Sequence, residues 1–228
     1  MNLDIPYIIC SVLSFVPAIV FHEVAHGFAA NKLGDPTAKS MGRLSLNPLK
    51  HVDPFGTVIM PLMLMLLNWP IFGYAKPVPY NPTYFKNIRK GELIVGLAGP
   101  CANLILALIG AGISWALWPY VVANQATLFA TEGFFYYFYL LFLPYFILIN
   151  LYLMFFNLLP IPPLDGSSII GFLLPAKYLP TYYRIQQYAL PVFFALVLIV
   201  PYVLNVNPIG AYLQVTAGNL FSLLSPLG

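Results

Sequence analysis

Charge is what this sequence has least of. Only 7% of its 228 residues are charged, ten Lys and Arg against seven Asp and Glu, where a water-soluble domain carries about 25%. That shortage excludes a soluble globular fold. A net charge of +3 with no run of basic residues also gives nucleic acid nothing to hold. Cysteine is scarce too. Cys10 and Cys101 both sit in apolar runs and read as small buried hydrophobes rather than a disulfide or zinc ligands. No Lys or Arg precedes Lys32, so the first apolar segment lacks the basic flank of a cleaved leader and is expected to stay as a membrane helix. Histidine occurs three times in the whole chain.

What is abundant is apolar sequence, 60% of the residues, in long continuous runs. Runs of that kind specify helices rather than the alternating strands of a membrane barrel. The expected fold is an all-α polytopic membrane protein, one domain over 1–228, with a core over about 5–170 and C-terminal helices over about 184–228. Spans are expected near Ile5–Ala30, Glu92–Trp118 (stopped by Pro119), Phe134–Leu159 and Tyr188–Leu204, each long enough for ~30 Å of hydrocarbon. The tail after Pro208 is an interfacial helix or a sixth, weak span, giving five to six membrane segments. Phe55–Trp69 is short for a span. Strand-like alternation in Gly42–Asn47 precedes it and a proline-extended Gly73–Tyr80 follows, so short strands or a hairpin are expected between the first and third segments.

Lys and Arg cluster at 32–50, 76–90 and 177–184, whereas 119–133 has none. The positive-inside rule puts the N-terminus outside and both flanks of the second segment in the cytoplasm, so that segment re-enters, or forms a short span with a re-entrant return.

Two of the three histidines fall in one pentapeptide, His22-Glu23-Val24-Ala25-His26. Residues four apart share a helix face, so both imidazoles can bind one zinc ion, and the intervening glutamate can act as general base. Ionisable groups inside a membrane segment are costly unless used. Asp165, after the prolines at 160, 162 and 163, returns to the same cytoplasmic depth. His22, His26 and Asp165 are the expected metal ligands, three protein donors with an open fourth position. A helix cap is the simpler reading of Asp165. His51, beside Asp53, reads as a solvated loop histidine, with an accessory zinc ligand as the alternative. The aromatic run Phe134–Tyr139 reads as an interfacial belt and Asn150 as an interhelical hydrogen bond.

The pentapeptide, then Gly99-Pro100-Cys101-Ala102-Asn103, then Asn157-Leu-Leu-Pro160 leading to Leu164-Asp165-Gly166, resemble in kind and order the site-2 protease family of intramembrane zinc metalloproteases. Gly42-Arg43 to Asn47-Pro48, Asp53-Pro54-Phe55-Gly56 and Ala75-Lys76-Pro77-Val78-Pro79 resemble its minimal branch, and the length leaves no room for PDZ or CBS domains. The resemblance implies one zinc per chain on His22, His26 and Asp165, Glu23 as catalytic base, Asn103 as a second catalytic residue that helps hold substrate or oxyanion, and Asn157 ordering the turn before Asp165. It implies hydrolysis of peptide bonds in or near transmembrane segments of single-span membrane proteins, in the bilayer of a prokaryotic plasma membrane, with the active site toward the cytoplasm. Homo-oligomerisation is left open. For Asn103 the packing alternative is an interhelical hydrogen bond, since Gly99, Ala102, Asn103, Ala107 and Gly110 form one small-residue helix face. The alternatives for function are an inactive zinc-binding relative that holds membrane proteins, and a transporter. An intact Glu23 argues against the first. Against the second stands the lack of ionisable residues outside one cluster.

Overall fold

The computed structural model describes residues 5–60, 63, 74–131, 133–204 and 206–227. Among the described residues three helices are long and apolar enough to cross a membrane: α1 (Ile5–Lys32), α2 (Ile88–Ala123) and α3 (Phe134–Asn157). The expected second segment lies mostly outside the described residues. Its beginning, Pro54–Ile59, is a π-helical turn whose first N–H groups, Phe55 N and Gly56 N, donate to Asp53 Oδ1 at 3.0 and 2.7 Å.

Local chemistry sets the helix ends. α1 closes where Gly34 takes φ +103°, a conformation that costs glycine little. α2 opens on Asn87, whose side chain caps Lys90 N at 3.0 Å. It then runs through Pro119 to Ala123, past the expected stop. A proline lacks one N–H and crowds the preceding turn, but neighbouring helices let a membrane helix absorb it. In α3 a π-helical turn over Phe138–Phe142 precedes Pro144, which has no N–H for the regular ladder.

α2 packs against both α1 and α3. Small residues make this close approach possible, with Ala107 and Gly110 buried against Ile147 of α3. The C-terminal stretch Pro208–Leu224 lies along this pair. Ala217 joins the core cluster with Ala107 and Leu151, Tyr212 Oη donates to Phe155 O at 3.3 Å, and Trp115 Nε1 donates to Leu224 O at 2.8 Å. The aromatic run at the start of α3 is only partly a belt. Phe134 is exposed, but Tyr139 is 1% exposed and donates to Ser114 O. Cys10 and Cys101 are both free, and Cys101 is exposed on α2 rather than buried.

Among the described residues there is no strand. The stretches 43–47 and 74–81 are extended but do not pair as a ladder. Prolines at 77 and 79 remove the donors a ladder needs, and Ser45 N turns back to Arg43 O. Isolated bonds hold these stretches instead. Buried Arg43 donates through Nη2 to Lys76 O at 2.7 Å and Pro77 O at 3.3 Å. Lys76 N donates to His51 O at 2.8 Å. Asp35, fully buried, accepts from Thr37 N, Thr37 Oγ1 and Asn81 N at 2.9, 2.5 and 2.6 Å.

Burial alone would push the Asp35 carboxyl up, but those three hydrogen bonds outweigh it and hold the group below its ordinary value. A depressed carboxylate contributes stability above the unfolded value near 3.9 and loses it as pH falls through the folded value. Asp35→Asn is expected to cost about 2–3 kcal/mol, since one amide cannot accept all three donors, and to flatten the loss of stability below about pH 4. Thermal unfolding in detergent from pH 3 to 7 checks both.

Candidate metal centre

His22 and His26 sit one turn apart on α1, with ring centroids 4.6 Å apart and planes crossed at 81°. Each ring's Nδ1 faces an oxygen. His26 Nδ1 is 2.7 Å from Val95 O, a main-chain carbonyl that can only accept. His22 Nδ1 is 2.6 Å from Asn103 Oδ1. The orientation of that amide is fixed from behind, because Asn103 Nδ2 donates to Ala18 O at 3.1 Å and to Asn150 Oδ1 at 2.9 Å. In both neutral rings, then, the proton is on Nδ1 and Nε2 presents a lone pair.

Both lone pairs meet one carboxylate. His22 Nε2 lies 3.0 Å and His26 Nε2 3.3 Å from Asp165 Oδ2. That oxygen is buried and has no hydrogen-bond partner. With both rings neutral, three electron-rich atoms lie within 4.8 Å of one another, an arrangement that a cation among them relieves. Two imidazole nitrogens and one carboxylate oxygen form the donor set of an open zinc site. The residues present fit the metal.

The protein brings Asp165 here by a loop. α3 ends at Asn157, the chain turns through residues 158–166, and Gly166 N donates to Asn157 O at 2.6 Å. It is the main chain of Asn157 that closes the turn, while its side chain bonds Leu153 O. A Cβ on Gly166 would lie 2.5 Å from the Leu158 carbonyl carbon, so only glycine fits the closure. The next helix, α4 (Ser167–Leu173), takes no side-chain cap from Asp165. Its C-terminal carbonyls, at Gly171, Phe172 and Leu174, receive the guanidinium of Arg89 from α2.

Gly99 is the other steric requirement. A Cβ there would stand 2.6 Å from His22 Nε2 and closer still to His26 Nε2. α2 thus presses bare backbone against the two imidazoles, while Val95 and Asn103, one turn either side, hold their Nδ1 atoms.

Glu23 lies on the wall of the adjoining cavity, of about 320 Å³, together with His22, His26 and Asp165. Its Oε2 accepts from Val78 N at 2.9 Å, so the Arg43-held segment fixes the carboxylate. Tyr80, Glu92 and Ser167 give the same cavity a polar side. Tyr80 is partly exposed, and the covering of the rest of its ring, reinforced by the Glu92 and Asp165 charges, pushes the phenol up to about 12, so it remains a neutral donor.

Of the residues expected from sequence, His22, Glu23, His26 and Asp165 come together. Asn103 touches His22, but it is 0% exposed and both its amide hydrogens are committed. An oxyanion donor needs a free N–H facing substrate, so in this geometry Asn103 positions His22 instead. Asn150 is the interhelical partner expected. His51 is not a solvated loop residue, being 2% exposed. The sequence reading missed Val95 O, Val78 N and Arg43. The first two are main-chain atoms without a residue signature, and Arg43 reads equally well as a topology charge.

The model of Peptidase family M50 matches residues 10–200. A Bacillus subtilis protein named "Putative zinc metalloprotease YwhC" is 39% identical over 209 residues, 91% of this chain and 83% of that one. A Mycolicibacterium smegmatis protein named "Putative zinc metalloprotease Rip2" is 32% identical over 159 residues, 70% of this chain. The chain spans 55% of that relative's length. No solved structure matches the chain.

Gly99→Ala is expected to drive the imidazoles apart and weaken metal binding at least ~10-fold, the lower end for outer-sphere changes. Zinc content after equilibrium dialysis, measured by mass spectrometry, checks this. Retained affinity would mean that α1 and α2 separate without harm.

Proposed function

The chain belongs to peptidase family M50, the site-2 protease family of intramembrane zinc metalloproteases, and on that membership we propose a catalytic reading of the site. His22, His26 and Asp165 hold one zinc ion per chain. The observation that carries this is the convergence of two Nε2 lone pairs on a carboxylate oxygen that has no other partner. When bound, zinc supplies a Lewis acid that lowers the pKa of a water toward ~7 and polarises a carbonyl.

The rest is the work of the chain's own side chains. Peptide hydrolysis adds a water oxygen to the scissile carbonyl carbon and breaks the C–N bond. Glu23 accepts the water's proton and delivers it to the leaving nitrogen. Val78 N–H keeps that carboxylate turned to the cavity. Asn103 holds His22 in the tautomer that presents Nε2. Tyr80, Glu92 and Ser167 offer water a polar approach within an apolar bundle.

The substrates in this reading are single-span membrane proteins, cut in or near the membrane after local unwinding. The protein enters the bilayer five to six times, the C-terminal stretch beside α3 being the sixth, in a prokaryotic plasma membrane with the site toward the cytoplasm. The clustering of Lys and Arg at 32–50 and 76–90, on the site's side of α1 and α2, supports that orientation. The extended stretches 43–47 and 74–81 offer main-chain groups to an unwound substrate.

Glu23→Gln is expected to keep the full zinc content and lose cleavage of a reconstituted single-span substrate by about 10²–10⁴-fold, the range for a general base. Zinc analysis and gel-resolved cleavage in proteoliposomes check it. Normal turnover by this variant would remove Glu23 from the chemistry.

A further inference from the structure

The proposed chemistry uses two of the three carboxylates in the catalytic cavity. Glu23, Glu92 and Asp165 all line that cavity, and no Lys or Arg does. Glu92 does nothing in the reaction beyond offering water a polar approach. It lies on α2 one turn before Val95, whose carbonyl holds His26, and two turns before Gly99, which abuts both imidazoles. Residues at this spacing share a helix face, and seven residues rise about 10 Å. Glu92 is therefore on the same wall as the histidines' supports, two turns from the ligands along α2.

Its partners are few. Among the described residues no Lys or Arg forms an ion pair with Glu92. Arg89, one turn earlier on α2, spends its guanidinium on the carbonyls of Gly171, Phe172 and Leu174. What Glu92 receives is a hydroxyl. Tyr183 Oη donates to its Oε2 at 3.3 Å, a long and exposed bond. Tyr183 belongs to the short helix Leu179–Gln186, which also reaches the cavity lining through Tyr182 Oη, donating to Ser167 O at 2.7 Å. The Tyr80 ring lines the same cavity, close enough to feel the Glu92 charge, and stacks on Phe85 with centroids 6.0 Å apart.

A carboxylate without a cation, near an aromatic ring, recognises an ammonium or a guanidinium, the first by charge and the second through the face of its π system. A neutral polar side chain gains little over the tyrosine hydroxyl already there, and an acid is repelled. Membrane proteins carry Lys and Arg at their cytoplasmic flanks, the side the site faces in the orientation above. We propose that Glu92 is a specificity-determining residue that takes the ammonium or guanidinium of a substrate Lys or Arg near the scissile bond, in place of the Tyr183 hydroxyl and beside the Tyr80 ring. The proposal rests on the protease reading above. An extended peptide advances about 3.3 Å per residue, so two turns of α2 put the basic residue about three residues from the cut.

The test uses the full-length, zinc-loaded protein in proteoliposomes. Single-span substrates carry Lys, Arg, Gln, Leu or Glu in turn at each of the four positions on either side of the cleaved bond. At one position kcat/KM for Lys and Arg is expected to exceed that for Gln about five-fold, the size of a partly exposed ion pair, with Glu cut slowest. Rates are read as ratios within one variant, so a general loss of activity does not mimic the effect. Glu92→Gln brings the Lys-to-Gln ratio to one, Glu92→Lys turns the preference toward Glu, and Glu92→Asp retains a preference for Lys. Equal rates for Lys and Gln at every position in the wild-type protein, or a Lys preference that survives Glu92→Gln, overturns the assignment. Binding separates this from the protease reading. In the zinc-loaded Glu23→Gln protein, energy transfer between labelled protein and labelled substrate should report about five-fold tighter binding of the Lys substrate than of the Gln one. That difference with no cleavage by the wild-type protein keeps the role of Glu92 and overturns the protease reading. Cleavage without a Lys preference keeps the protease reading and overturns the role of Glu92.

Discussion

The proposed metal centre depends on where two protons sit. His22 and His26 each place Nδ1 against an oxygen, the Asn103 amide and the Val95 carbonyl, and that placement turns both Nε2 atoms into lone pairs facing Asp165. The bundle is arranged to supply those oxygens. α2 passes close enough because Gly99 has no side chain, and Asn103 is itself oriented by Ala18 O of α1 and Asn150 of α3. All three long helices therefore meet at one buried amide, which links helix packing to ligand tautomer. In an apolar surrounding this is high-stakes chemistry, because a partly satisfied polar network costs more than none.

The Glu23 carboxylate is held by different means. Glu23 is fixed by the main chain of an extended segment, and that segment is fixed by Arg43, Asp35 and His51 O. The two histidines are therefore held by neighbouring helices, whereas Asp165 and the contact that fixes Glu23 both come from loops. The loop anchoring also gives the buried side chains of Asp35 and Arg43 a structural use in so apolar a chain.

Much of the site was legible because its chemistry is rare in this sequence. The i, i+4 histidines could share a metal only on a helix, and Asp165 stood out as an acid returning to their depth. Asn103 was legible as a residue but not as a role, since only geometry shows that both its amide hydrogens are committed. His51 was misread because loop position suggests exposure, whereas Lys76 N and Ser45 O fold the loop around it. The expected strands failed for a related reason. Alternation in 42–47 describes a pattern of side chains, but pairing is decided by backbone donors, and the partner segment is interrupted by prolines. Pro119 misled in the opposite sense, because a bundle supports a helix that the isolated sequence would end.

The root of the 158–166 loop carries a further consequence. With Gly166 N bonded to Asn157 O, the third ligand hangs from a closed ring rather than from a free strand of chain. Arg89 pins the helix that follows. A ligand on a short, closed tether is present at the histidines at high effective concentration, whatever the protein's own abundance. The position of the Asp165 carboxylate is thus fixed by the closure of the ring at its root.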